Sequence, residues 1–204
     1  MDKKINSFAV LKMVAVLCIF LLVSSFARQA EFPEPKEVDG KVIEISYSKI
    51  VLIDDKGEEQ SFTLSEGTRV QKLIPIGSEE LKQNLYLHIS GKVDDKSINA
   101  DAIGIMRELT SEMMDNMKYS MGAETLEKFT GGKFCQVKSI NPLEVEDLNA
   151  KKFSVKVSPK TEIHEVLSSD IGDIKKDDTV NLRIFDFSEM GYGTFITISV
   201  LKEK

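Results

Sequence analysis

The sequence predicts an all-β fold: two small barrels in tandem, joined by a short helical linker and preceded by an N-terminal apolar helix. Three observations carry that prediction. Apolar and polar residues alternate through two blocks of roughly seventy residues each, the period-2 signal of half-buried strands. The second block restates the first at a nearly constant offset. Between them, Glu108 to Gly132 is the one stretch after the N-terminus whose apolar residues recur at helical spacing.

The first 27 residues have the pattern of a targeting segment. Lys3, Lys4 and Lys12 form a basic start, and Met13 to Val23 is an unbroken apolar run of signal-peptide length. Ser25 and Ala27 supply the small residues of a cleavage site. The alternative is an uncleaved anchor over residues 8–27, which must carry Lys12 near its end, where the side chain can snorkel. Either way the remainder of the chain is expected outside the cytoplasmic membrane, periplasmic or extracellular. Residues 28–39, with two prolines and four acids, read as a linker.

From Gly40 the strand grammar begins. Ile43, Ile45 and Tyr47 alternate with polar residues, and Ile50 to Ile53 ends at Asp54-Asp55-Lys56-Gly57, a turn in which Gly accepts the positive φ. Glu58 to Ser65 returns as a strand, with Thr68 to Leu73 as a short extension. Pro75, Gly77 and Ser78 interrupt the pattern, and Ser78 to Leu81 suits one helical turn. Leu85, Leu87 and Ile89 form the next strand. Ser97 to Met106 is the last, with a phase change between Ala100 and Ile103 that predicts a bulge.

The second block follows the same order. Gly40-Lys41-Val42-Ile43 matches Gly132-Lys133-Phe134-Cys135 at an offset of 92, and Phe62 to Val70 matches Val155 to Ile163 at 93. Leu87 and Ile89 match Val180 and Leu182, and Ile103 and Ile105 match Ile196 and Ile198, also at 93. The expected domains are therefore residues 40–107 and 132–204, each a barrel, with a helical linker over 108–131. Gly122 should break the linker, and Gly131-Gly132 should end it. Closure into a barrel of the oligonucleotide/oligosaccharide-binding (OB-like) type removes the open edges of so small a sheet.

The string of Gly40, Val42, Ile45, Ile50, Leu52, Asp54, Gly57, Phe62, Leu64-Ser65, Thr68 and Val70, followed by Leu81-Lys82 and the closing Ser97-Ile98-x-Ala100, resembles a bacterial family of exported domains of unknown function. The family is often tandem and is thought to form small β-barrels. The resemblance implies fold and compartment and brings no catalytic residues. The second copy departs from the pattern: Asn149-Ala150 replaces the Asp-Gly turn, and Asn84 and Asp177 stand where the family has Gly.

Composition limits function. The whole chain carries a net charge of −6, and without residues 1–27 the balance is 24 basic against 32 acidic residues. That excess repels a phosphate backbone, so nucleic acid is excluded as a partner and a membrane is met only through residues 8–27. Cys135 is the one cysteine after that segment, which leaves no internal disulfide. Its alignment with Ile43 places it on an inward face.

No catalytic or cofactor motif is present. Asp54-Asp55, Asp94-Asp95 and Asp177-Asp178 fall at turns and lack calcium-loop spacing. Gly191-Tyr192-Gly193 lacks a following helix, and His88 and His164 sit at unrelated positions of the two copies. The feature with chemical character is Met113, Met117 and Met121, four apart on one helix face with Met114 beside them. Thioethers suit Cu(I), and they also suit the gap between two barrels. The expectation is a non-enzymatic binding or structural protein of the cell envelope, without cofactor, contacting another envelope protein or an extracellular polymer. The alternative is a soft-metal protein using Met113, Met117 and Met121.

Overall fold

The computed structural model describes residues 33–188 and 193–201 of the 204. The signal or anchor segment, the first part of the linker and most of the Gly191–Gly193 turn lie outside the described residues. Within them the order is β1 (Lys36–Ile45), β2 (Lys49–Ile53), β3 (Glu59–Thr63), β4 (Arg69–Pro75), β5 (Tyr86–Val93), β6 (Ser97–Ile105), α1 (Ser111–Met121) and α2 (Ala123–Thr130). Then follow β7 (Lys133–Ile140), β8 (Leu143–Asp147), β9 (Lys152–Lys156), β10 (Glu162–Ser169), β11 (Thr179–Asp186) and β12 (Thr194–Leu201). Short 3-10 turns occur at Ser78–Glu80 and Ile171–Asp173. No helix among the described residues is long and apolar enough to cross a membrane.

The all-β expectation holds, but the strands do not stay within their own sequence block. One twelve-stranded sheet runs β3-β2-β1-β11-β12-β4-β10-β6-β5-β7-β8-β9, and β6 also pairs with β9. That last pairing closes β5 to β9 into a five-stranded barrel. Its strands come from both blocks: β5 and β6 from the first, β7 to β9 from the second. At the other end β1 to β3 are completed by β11 and β12 from the second block. Two consecutive barrels over 40–107 and 132–204 are thus replaced by two lobes that have exchanged their closing hairpins. The physical cause lies in β4 and β10. Each is a full strand of seven or eight residues rather than a short extension, so it carries the chain about 20 Å, past its own lobe and into the other. The two pair antiparallel at the middle of the sheet, with Leu73 opposite Val166.

The pairings of the two lobes correspond. Leu87↔Ile105 and Ile89↔Ile103 in one lobe match Val180↔Val200 and Leu182↔Ile198 in the other. The offset is 93 along β5 and β11 but 95 along β6 and β12, so Ile103 and Ile105 correspond to Ile198 and Val200, not to Ile196 and Ile198. The first strands correct in the same way. β1 bulges between Val42 and Glu44, and β7 bulges between Val137 and Ser139. Aligning the bulges makes Cys135 the counterpart of Gly40 rather than of Ile43, because pairing register is set by the ladder and not by the Gly-Lys dipeptide. The bulge expected between Ala100 and Ile103 is present. Asp101 is the unpaired residue, opposite the Ser90–Gly91 step.

Each lobe buries its own core. Leu87, Ile89, Ile98, Ile103, Ile105, Val137, Val145 and Phe153 fill the closed barrel, and Val42, Ile50, Leu52, Val180, Leu182, Ile198 and Val200 fill the other lobe. The latter core also takes Val38, which is buried and pairs with Leu182. The expected linker therefore ends before Lys36, since a hydrophobic residue with a ladder partner belongs to the sheet.

The linker helices follow the sequence closely. Thr110 caps α1, its Oγ1 accepting from the Met113 amide, and Gly122 at φ 75° separates α1 from α2. Gly131 ends α2 in the left-handed conformation, as glycine commonly does.

Candidate functional site

At the centre of the sheet, where the lobes meet, lies a cleft of about 200 Å³. Five pairs of corresponding residues line it: Gln71 with His164, Leu73 with Val166, Ser90 with Arg183, Ala102 with Thr197, and Gly104 with Ser199. Phe129 and Thr130 of α2 come in from the linker, so the segment without a counterpart in either block breaks the symmetry of the wall. The cleft is built by the strand exchange, because β4 and β10 supply its centre and β6 and β12 flank them.

Its polar groups are unusual for this chain. Both histidines of the protein line it, although they stand at unrelated sequence positions. No aspartate or glutamate does, against 33 acidic residues in the sequence. His88 sits on β5, its ring tilted against Phe134 at 5.0 Å between centroids. Its Nε2 is buried without a hydrogen-bond partner. Burial, and secondarily the positive charge of Arg183, pulls this imidazole down to about 4, so it is neutral at pH 7. An imidazole nitrogen left without a partner out of water costs free energy, of order 1–3 kcal/mol.

Arg183 on β11 carries the cleft's fixed positive charge. Its guanidinium lies over the Phe185 ring at 5.6 Å. Its Nε stands 3.1 Å from the Glu37 carboxylate, near enough for an ion pair but at an angle that leaves the buried N–H without an acceptor. Burial lowers its affinity for the proton and Glu37 raises it again; a guanidinium stays charged throughout the physiological range. Gly131 lets the linker approach: a Cβ there would stand 3.0 Å from Arg183 Nη2. On the floor, Gln71 Nε2 donates to Ser199 Oγ at 2.8 Å.

The other residues singled out by sequence go elsewhere. Met114 and Met121 are buried in an apolar cluster with Leu126 and Phe134, and Met117 packs against it. Met113 lies outside that cluster. The buried face of α1 is thus Met114, Met117 and Met121, spaced three and four apart, rather than the Met113, Met117, Met121 stripe. Packing against β7 selects the face with the 3.6 period.

Asp54 accepts from the amides of Lys56 and Glu58 and from Gln60, which holds its carboxyl below the ordinary range. Asp94 accepts from Asn99, and Asp95 pairs with Lys151. Asp177 pairs with Lys41, and Asp178 accepts from the Lys175 amide. Asp54, Asp94, Asp95, Asp177 and Asp178 are thus engaged separately, each at its own turn or strand end. Cys135 is buried, and burial, with the Asp147 charge adding to it, pushes its thiol up to about 12. No group of three or more His, Cys, Asp or Glu side chains among the described residues is placed to hold a metal ion.

Sequence reading missed the cleft because its residues are brought together by pairing between blocks. The legible signal was narrow: Gln71 and His164 stand at the same offset of 93 as the core positions. No family model, curated protein or solved structure matches the chain.

Proposed function

We propose that the protein is a non-enzymatic binding module of the cell envelope, built from a duplicated small-barrel unit of OB-like type whose closing hairpins are exchanged. The observation that supports binding is the make-up of the central cleft. It gathers a guanidinium, two imidazoles, an amide and several hydroxyls, with neither a carboxylate nor a thiol among them. Neither imidazole is bonded to a hydroxyl among the described residues. A site with these groups can hold and orient a guest through charge, hydrogen bonds and ring contacts.

Export rests on the N-terminal pattern of residues 1–27, and the envelope setting gains support from the resemblance to exported tandem domains. The acidic outer surface suits contact with another envelope protein or a polymer rather than with nucleic acid. The test is a pull-down of the full chain from native envelopes under mild crosslinking. A partner recovered by the wild type, and depleted when Ser90→Leu fills the cleft, is the expected result. Recovery of the bait alone, or turnover of any ester or phosphoester by the purified protein, removes the reading.

A further inference from the structure

We propose that the central cleft is a binding site for a small organic carboxylate with a compact apolar body, held by Arg183 and His88. The inference rests on the binding reading above and names the class of guest.

Three independent features point the same way. The first is charge. In a chain with a net charge of −6, the cleft lining has one cation, two imidazoles and no acid, so a guest anion meets attraction inside, offset in part by Glu37 at Arg183. Glu37 stands 3.1 Å from Arg183 Nε, with more than half of its own side chain in solvent. The two terminal nitrogens lie beside Gly131, where a Cβ would stand 3.0 and 3.3 Å from them, and a guanidinium fork of this kind matches a carboxylate.

The second is the unpaired Nε2 of His88. The imidazole is neutral, and in its Nε2–H tautomer it donates one hydrogen bond to an anionic oxygen. Nε2 is covered beside Gly132, where a Cβ would stand 2.8 Å from it, so the ring turns toward the cleft it lines for a guest to accept there, which removes the cost of an unsatisfied buried polar group. The arrangement favours a monoanion: one guanidinium, partly neutralised by Glu37, with one neutral donor beside it.

The third is the wall. Leu73, Val166, Phe129, Phe134 and Phe185 line the rest of the space. A volume of about 200 Å³ falls below the ~300–1,000 Å³ of sites for larger ligands. The guest is therefore compact, an aromatic ring or a short branched chain bearing one carboxylate. Aromatic walls with one fixed charge give orientation: the body lies among the rings and the carboxylate faces β11.

Benzoate is the probe, titrated into the full chain while the imidazole signals are followed by NMR. With two histidines in the protein, and both in the cleft, the reporters need no labelling of other sites. Saturable binding that shifts the His88 signal is expected. Benzyl alcohol, which keeps the ring and loses the charge, should bind at least tenfold more weakly. Arg183→Gln should weaken benzoate by tenfold or more, while Arg183→Lys, which keeps the charge, recovers part of the loss and controls for folding. Ser90→Leu should abolish binding without changing the strand content seen by circular dichroism.

Equal affinity for benzoate and benzyl alcohol would overturn the carboxylate assignment and leave the binding reading standing. So would inorganic phosphate competing better than benzoate, or wild-type affinity in Arg183→Gln. Absence of any saturable shift also overturns the assignment. The binding reading falls separately, on a bait-only pull-down.

Discussion

The two lobes of this protein share a pairing scheme and differ in how they finish it. In one, β6 bends back onto β9 through Ser97↔Ser154, Ile98↔Val155 and Asn99↔Lys156, and the barrel closes. In the other, no corresponding pairing of β12 with β3 is present among the described residues. Gly40, where the closed barrel has Cys135, lets β1 approach β2 tightly: a Cβ there would come within 2.9 Å of the Ile53 carbonyl oxygen. The closed barrel reaches its curvature another way. Gly91, at φ 147°, opposes the Asp101 bulge, and a side chain in its place would meet the Asn99 carbonyl at 2.2 Å. Similar cores are thus enclosed by different local devices, and the exchanged hairpins tie the two results into one sheet.

The largest expected effect tests that tie. Ile103 and Ile198 occupy corresponding sites, and neither has measurable exposure. Truncating either to alanine should cost about 2–5 kcal/mol. Because each lobe contains strands from both halves of the chain, either substitution should lower a single unfolding transition followed by calorimetry. Two resolved transitions, with one alone responding to each substitution, would show that the lobes are energetically separate despite their shared strands.

A smaller effect distinguishes the lobes by pH. His88 in β5 corresponds to Asn181 in β11, which donates to Asp39 at 2.9 Å and does not titrate. His88 titrates near 4 in the fold and near 6.5 in an unfolded chain. The unfolded state therefore binds the extra proton first as acid is added, and stability falls with pH. The contribution is fully present above pH 6.5 and is lost progressively as the pH drops toward 4, by at most about 3 kcal/mol. His88→Asn, which installs the residue of the other lobe, should flatten stability between pH 6.5 and 4 in denaturant melts. An unchanged slope would assign the acid sensitivity to carboxylates instead.

How much of this was legible depends on the range of the interaction. The turn at Asp54–Gly57, the break at Gly122, the Gly131 cap and the Asp101 bulge are local, so composition and periodicity reveal them. Which hairpin completes which lobe is not local. Leu87 forms the same kind of pair with Ile105 whether its other neighbour is Gly40 in its own block or Cys135 in the next, and the alternation of apolar residues is identical in both arrangements. The decision falls to the length of β4 and β10 and to the packing of α1 and α2 against β7. The cleft inherits that ambiguity. Arg183 and His88 come from the two exchanged hairpins, one from each block.

The smallest effect concerns one turn in each lobe. Asp54 accepts from the amides of Lys56 and Glu58, and Asp147 accepts from those of Asn149 and Lys151, so the two turns are held by the same bonds. They differ at the residue with positive φ, which is Gly57 at 81° in one and Ala150 at 61° in the other. For an L-residue that region costs roughly 1–2 kcal/mol, while glycine brings an entropic penalty of roughly 0.5–1 kcal/mol in the unfolded chain. Ala150→Gly should therefore stabilise by about 0.5–1 kcal/mol, and Gly57→Ala should destabilise by a similar amount. A Cβ at Gly57 would meet nothing within 4 Å, so that loss measures the backbone alone. If chemical denaturation shows Ala150→Gly to be destabilising, the Ala150 methyl is making a contact that outweighs its backbone, and the two turns are not the same device.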